Sequence, residues 1–226
     1  GCFQTLGNIK IEYHFDDDFK INDGSYIRKL DLNNALATTE FETDEAKYRR
    51  EYFVSRDADV AVIHLDADKS KMISVDIELE RQERVEYRTE DKAIVMFGQL
   101  KDGSNGDEGM KYLSKLTVDN EGGNVDFNNN KIIVRDADKL TLIFSSSTNY
   151  KNENYLAFVD SLMNDAKSRS YKYLKRKHIE SYQELFNRVE VDFGEGITDN
   201  HPIDDRLLDF QDEDDPQLAA LYFNYG

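Results

Sequence analysis

Ile9-Lys10-Ile11-Glu12-Tyr13-His14-Phe15 places an apolar side chain at every odd position and a polar one at every even position. A period of two is the signature of a β-strand with one face buried and one in water. β-rich runs return at 26–32, 35–41, 48–55, 60–65, 73–80, 84–88, 93–100, 110–118, 131–134 and 140–146. Clusters of Asp, Asn, Gly and Lys separate them, such as Asn22-Asp23-Gly24 and Asn128-Asn129-Asn130, and these are turn chemistry. Neither of the two prolines falls among these runs, so none is demoted to an edge on that ground. About a dozen strands at short spacing, with no helix between them, predict a large antiparallel sandwich over residues 1–148.

The period then changes. Tyr155, Phe158, Val159, Leu162, Met163 and Ala166 fall at helical spacing, with Asn152 or Asn154 as the expected cap. Tyr171, Leu174, His178, Tyr182, Leu185 and Phe186 define a second helix, and Lys172, Lys175, Arg176 and Lys177 read as its solvated stripe. Residues 149–190 are thus expected as a helical linker. Residues 191–214 are expected as a connecting strand, built on the alternation of 189–193, followed by an acidic loop, with 194–205 irregular. Asp215-Pro216 pairs an N-cap with a proline at the first helical position. Leu218, Leu221, Tyr222 and Tyr225 share one face of the helix that follows, over 215–226. So short a helix buries little alone, and we expect it to be the first helix of a further domain.

Composition excludes several classes. Acidic residues outnumber basic ones 46 to 29, a formal charge of −17, which repels phosphate backbones and anionic lipid. Thirteen Tyr and thirteen Phe supply enough buried area for a folded core despite a mean hydropathy of −0.72. No apolar run approaches a membrane span. Cys2 is the single cysteine, so no internal disulfide forms. Gly1-Cys2 lacks the apolar stretch that precedes a lipoprotein cleavage site, and neither an initiator Met nor a signal peptide is present. The chain reads as an internal piece of a longer protein.

No catalytic constellation is expected within these residues. Asp16-Asp17-Asp18 reads as a solvated turn rather than a carboxylate pair, because strand neighbours point to opposite faces. His14, His64, His178 and His201 share no metal-ligand spacing; His178 lies on an apolar helical face and is expected to pack there. Asp102-Gly103-Ser104-Asn105-Gly106-Asp107-Glu108 is oxygen-rich, but its spacing fails as a calcium loop, and a hairpin loop is the simpler reading. Cys2 has no His partner that would make it a nucleophile. No metal, cofactor or catalytic residue is assigned, and no substrate-binding residue is named. The absence of Trp weakens an independent sugar-binding module, since such modules commonly stack sugars on Trp.

Five segments, in order, resemble the bacterial α-L-fucosidases of glycoside hydrolase family 95. They are Phe3-Gln4-Thr5-Leu6-Gly7-Asn8; Tyr26-Ile27-Arg28-Lys29-Leu30-Asp31-Leu32, with Ala35 and Ala37 following; Tyr48-Arg49-Arg50-Glu51-Tyr52-Phe53-Val54-Ser55; the helix from His178 to Val189; and the run from Asp215 to Gly226. None is a catalytic motif, so the resemblance rests on order and spacing. It implies a galactose-mutarotase-like β-supersandwich lacking its first strands, linker α-helices, and the start of an (α/α)6 catalytic barrel. It further implies that an acid and an Asn-Asp arrangement in that barrel cleave fucosylated glycans with inversion, in a periplasmic or secreted enzyme. This piece alone is expected to be inactive, to dock the barrel intramolecularly and to self-associate. Two rivals stand beside this reading. One is a stand-alone carbohydrate-binding or interaction module, whose 218–225 face would be covered by its own sandwich. The other keeps the architecture with α-L-galactosidase or phosphorylase activity.

Overall fold

The computed structural model describes residues 4–16, 18–101, 103, 109–194, 201–210 and 215–225. Twelve strands form among them: β1 Asn8–Tyr13, β2 Ile27–Asp31, β3 Leu36–Glu42, β4 Lys47–Ser55, β5 Val60–Ala67, β6 Ile73–Glu80, β7 Glu86–Glu90, β8 Ala93–Gln99, β9 Lys111–Glu121, β10 Asn124–Asn128, β11 Lys131–Ala137 and β12 Lys139–Thr148. They build a four-stranded sheet of order β1-β6-β11-β10 and an eight-stranded sheet of order β2-β3-β4-β5-β12-β9-β8-β7. Every pairing is antiparallel.

The core follows from the alternation. In β6, Ile73, Val75, Ile77 and Leu79 are buried while the residues between them reach the surface. These side chains meet Leu65, Ile94, Met96, Leu116 and Leu140 of the large sheet. Each such burial contributes about 1.5–3 kcal/mol. A second core lies on the opposite face of the large sheet. There Phe53, Val62, Val95, Leu113 and Ile143 pack against Val159, Met163 and Leu174 of two helices. The middle of the large sheet is therefore covered on both faces, which explains the unbroken buried runs Ala93–Met96 and Leu140–Ile143. An alternating strand would be wet on one side.

Helix α1 spans Tyr155–Lys167, α2 Tyr171–Phe186, α3 Ile203–Asp209 and α4 Pro216–Tyr225. Ser170 caps α2, its Oγ accepting from the Tyr173 N–H. Asp215 caps α4 as the sequence suggests, Oδ1 accepting from the Leu218 N–H at 3.1 Å.

Four expectations change. β10 was not anticipated: Val125 and Phe127 are its only inward residues, flanked by Asn and Asp. No strand forms over 189–193; Val189 and Phe193 are exposed, and alternation alone cannot hold a strand without a ladder to satisfy its backbone. α3 begins at Ile203, inside the stretch expected as loop, with Asp204 and Asp205 in its first turn, where acidic residues favour the helix dipole. Asn154 occupies the N-cap of α1 without a side-chain bond; instead Asn152 accepts from the Asn154 N–H through Oδ1 and from the Tyr155 N–H through its carbonyl.

Candidate functional site

Strand register aligns a row of polar residues across the outer face of the large sheet. Lys29 lies opposite Thr38, Thr38 opposite Glu51, Glu51 opposite His64, His64 opposite Thr141, and Thr141 opposite Asp119. Cross-strand partners share a face, so the row crosses six strands. Its middle is buried beneath the first turns of α2: Glu51 is 3% exposed and His64 8%. Polar groups placed there need partners, because an unpaired one costs about 1–3 kcal/mol.

Residues one helical turn apart on α2 supply them. Lys175 Nζ donates to both Glu51 carboxylate oxygens, at 2.7 and 2.9 Å. The Tyr171 hydroxyl donates to the same carboxylate, and Arg49 adds a bond of 2.7 Å. The Tyr171 ring stacks on the His64 imidazole at 3.7 Å, and His64 Nδ1 meets Thr141 Oγ1 at 2.9 Å. Further along α2, His178 Nε2–H donates to the carbonyls of Asn34 and Ala35, both at 3.1 Å. The Tyr182 hydroxyl reaches the Leu32 carbonyl at 2.7 Å. His178 also stacks on Phe53 and is buried, so it packs as its helical face suggested.

Burial pushes the Glu51 carboxyl up, but the bonds from Lys175 and Arg49 and their charges outweigh it and hold it below its ordinary value. Burial holds His64 below its ordinary value, against the charges of Asp66 and Glu51. The Glu51 carboxylate is thus engaged by three donors, two of which, Tyr171 and Lys175, tie α2 to the sheet. A recess of about 400 Å³ opens at one end of the row, lined by Lys29, Asp31, Thr38, Glu40 and Lys175 among others. A smaller one of about 90 Å³ lies at the other end, beside Asp119, Thr141 and Arg169.

The remaining sequence candidates are scattered. His14 is exposed and pairs with Asp76 at 3.1 Å on the small sheet, and His201 is exposed just before α3. Asp16 and Asp18 are exposed at a recess near Lys20 and Lys71. Cys2, Asp17 and all of Asp102–Glu108 except Gly103 lie outside the described residues. Among the described residues no three His, Cys, Asp or Glu side chains are grouped to hold a metal ion, and no helix is long and apolar enough to cross a membrane.

The C-terminal helices form the second element of the site. Arg206 of α3 grips Asp215 with two bonds, at 2.8 and 2.9 Å. The pair they join presents apolar groups to water: Leu208 is 77% exposed, Tyr222 80% and Tyr225 69%. Of the expected face of α4, only Leu218 is buried. The bidentate clasp and this exposed surface gave no local signal in the sequence; a period of 3.6 marks a face without saying what covers it.

The family model described as glycosyl hydrolase family 65, N-terminal domain, matches residues 1–153. That described as glycosyl hydrolase family 95 catalytic domain matches residues 170–226, from the cap of α2 onward. The chain is 27% identical to "Alpha-L-fucosidase 2" of Arabidopsis thaliana, over 99% of its own length and 30% of that protein. It is 28% identical to "Probable alpha-fucosidase A" of Aspergillus niger, over 100% of its own length and 30% of that protein. The chain thus spans about 30% of the length of these curated relatives. A solved structure assigned as a kojibiose phosphorylase from the human microbiome shares the fold, with a TM-score of 0.52 at 13% identity over 79% of this chain and 27% of that one. The chain belongs to the glycosyl hydrolase family 65 N-terminal domain family, and its helical end continues into sequence of the family 95 catalytic domain.

Proposed function

We propose that the chain is the non-catalytic β-domain and linker of an inverting α-L-fucosidase acting on glycans, exported to the periplasm or beyond the cell. Residues 1–148 serve as the sandwich, 149–190 as the linker, 191–214 as the connection and 215–226 as the first helix of an (α/α)6 barrel. The groups that break the glycosidic bond then lie in the rest of that barrel, outside these residues. The observation that supports this best is the exposed apolar surface of α3 and α4 within the stretch matching a catalytic domain. Surface of that kind marks a face built to be covered.

A stand-alone module predicts that the sandwich covers the 218–225 face, and Tyr222 and Tyr225 instead face water. The test is an aryl α-L-fucoside assay on residues 1–226 and on the longer protein. Turnover is expected from the longer protein alone; turnover by residues 1–226, or none by either, refutes the proposal.

A further inference from the structure

The recess at the Lys29 end of the polar row has a built floor and an unused set of donors. On β2 the floor carries Ile27, Lys29 and Asp31, and β3 sets Glu40, Thr38 and Leu36 opposite them in that order. With β4 beyond, the floor measures about 10 by 13 Å from the spacing of strands and the rise per residue. Lys175 and Ile179 of α2 wall it along β4. The enclosed volume of about 400 Å³ falls in the range of small-molecule sites.

Most of the charge in the recess is already fixed by partners within the chain. Glu40 pairs with Arg49 at 3.0 Å, and Arg49 reaches Glu51 at 2.7 Å. Asp31 Oδ1 accepts from the N–H groups of Asn33 and Asn34, and Oδ2 accepts from Asn34 Nδ2–H. Both carboxylates that neighbour Lys29 in the register are therefore held by other donors. Among the described residues the Lys29 ammonium and the Thr38 hydroxyl, side by side in one cross-strand pair, have no hydrogen bond or ion pair of their own.

That unused set names a ligand chemistry. Three cations, Lys29, Arg49 and Lys175, face three carboxylates, Asp31, Glu40 and Glu51, so in a chain of net charge −17 the recess itself is neutral and favours neither an anion nor a cation. An apolar ligand would strip water from six ionised groups and return no bonds. The lining holds no aromatic ring on which a base could stack. A hydroxyl both donates and accepts from one atom. Neighbouring hydroxyls therefore bridge an ammonium and a carboxylate set side by side, and Lys29 and Thr38 lie between Glu40 and Asp31.

We propose that this recess is an accessory binding site for a neutral glycan. It holds one or two pyranose units by their hydroxyls, with Lys29 and Thr38 donating, Glu40 and Asp31 accepting, and Ile27 against the apolar face of a ring. The site lies on the sandwich and breaks no bond, so it stands or falls separately from the catalytic assignment above. Residues 1–226, carrying a fluorophore on the single cysteine, are applied to an array of neutral, sialylated and sulfated glycans printed at equal density. Neutral glycans are expected to capture the protein most strongly. The best of them, titrated by calorimetry in solution, should bind at least tenfold more weakly to Lys29→Met and to Thr38→Val. Lys172→Met, which removes an exposed charge of α2 outside the recess, should bind like the parent. Lys29 is exposed and Val keeps the shape of Thr, so all three variants should melt with the parent. Capture of no glycan, capture without preference for neutral ones, or equal binding by the parent, Lys29→Met and Thr38→Val overturns the proposal.

Discussion

Replacing Lys175 with Met tests whether the buried carboxylate beneath α2 holds that helix to the sandwich. The methionine keeps the length of the stem and removes two charge-assisted bonds to Glu51, of 2.7 and 2.9 Å. A hydrogen bond to a charged group is worth about 1.5–3 kcal/mol, and leaving a buried charge wholly unpaired costs about 3–5 kcal/mol. Glu51 keeps Arg49 and the Tyr171 hydroxyl after the change, and the Arg49 side chain is half exposed and screened by water, so the lower figure applies. We expect a loss of about 2 kcal/mol at pH 7, or about 4–8 °C in melting temperature for a domain of this size. The sign of the pH dependence follows from linkage. The Glu51 carboxyl is held low in the folded state, so its contribution is whole above the unfolded value of about 4.3 and is lost as pH falls through the folded value. The gap between the parent and Lys175→Met should therefore close in acid. Urea titrations at pH 7 and pH 3.5 measure it. A loss under 0.5 kcal/mol at pH 7 (taken as about the scatter of neutral surface changes), or a gap of the same size at both pH values, refutes the reasoning.

Two other outcomes follow from the same contacts. His64 is held neutral by burial, so stability that is full above about pH 6.5 falls as acid protonates it; His64→Phe should keep the stack on Tyr171, cost about 1 kcal/mol at pH 8 through the stranded Thr141 hydroxyl, and flatten the decline between pH 6.5 and 5 in thermal melts. Asp215→Ala removes the cap of α4 and both bonds to Arg206, at a cost of about 3 kcal/mol confined to the helix pair; hydrogen exchange should show α3 and α4 opening while the sandwich amides keep their protection.

The sandwich was legible because most of its strands repeat one instruction. Ile73, Val75, Ile77 and Leu79 name their face without help from any other residue. β10 was missed because it carries only Val125 and Phe127 on a polar edge. The strand expected over 189–193 failed for the converse reason: Val189 and Phe193 keep the period but find no neighbour to pair with. Long-range partners are absent from a local pattern. The same limit hid the polar row, since Lys29, Thr38, Glu51, His64, Thr141 and Asp119 lie up to 112 positions apart and meet only through the register of five ladders.

Why a sheet already closed over an apolar core should carry such a row follows from what α2 must do. Apolar packing is non-directional; a helix laid on Phe53, Val62 and Ile143 alone could slide or rotate by a turn at little cost. A single buried carboxylate meeting Tyr171 and Lys175, a stack on His64, and donors at His178 and Tyr182 aimed at the carbonyls of 32–35 all fail together if the helix shifts by 5.4 Å, the rise of one turn. Charge and hydrogen bonding thus set a register that hydrophobic contact leaves open. Register is what a linker must transmit if the helical surface at α3 and α4 is to meet the rest of a catalytic domain at a fixed angle. Among the described residues, the buried polar groups beneath α2 are arranged to hold a direction.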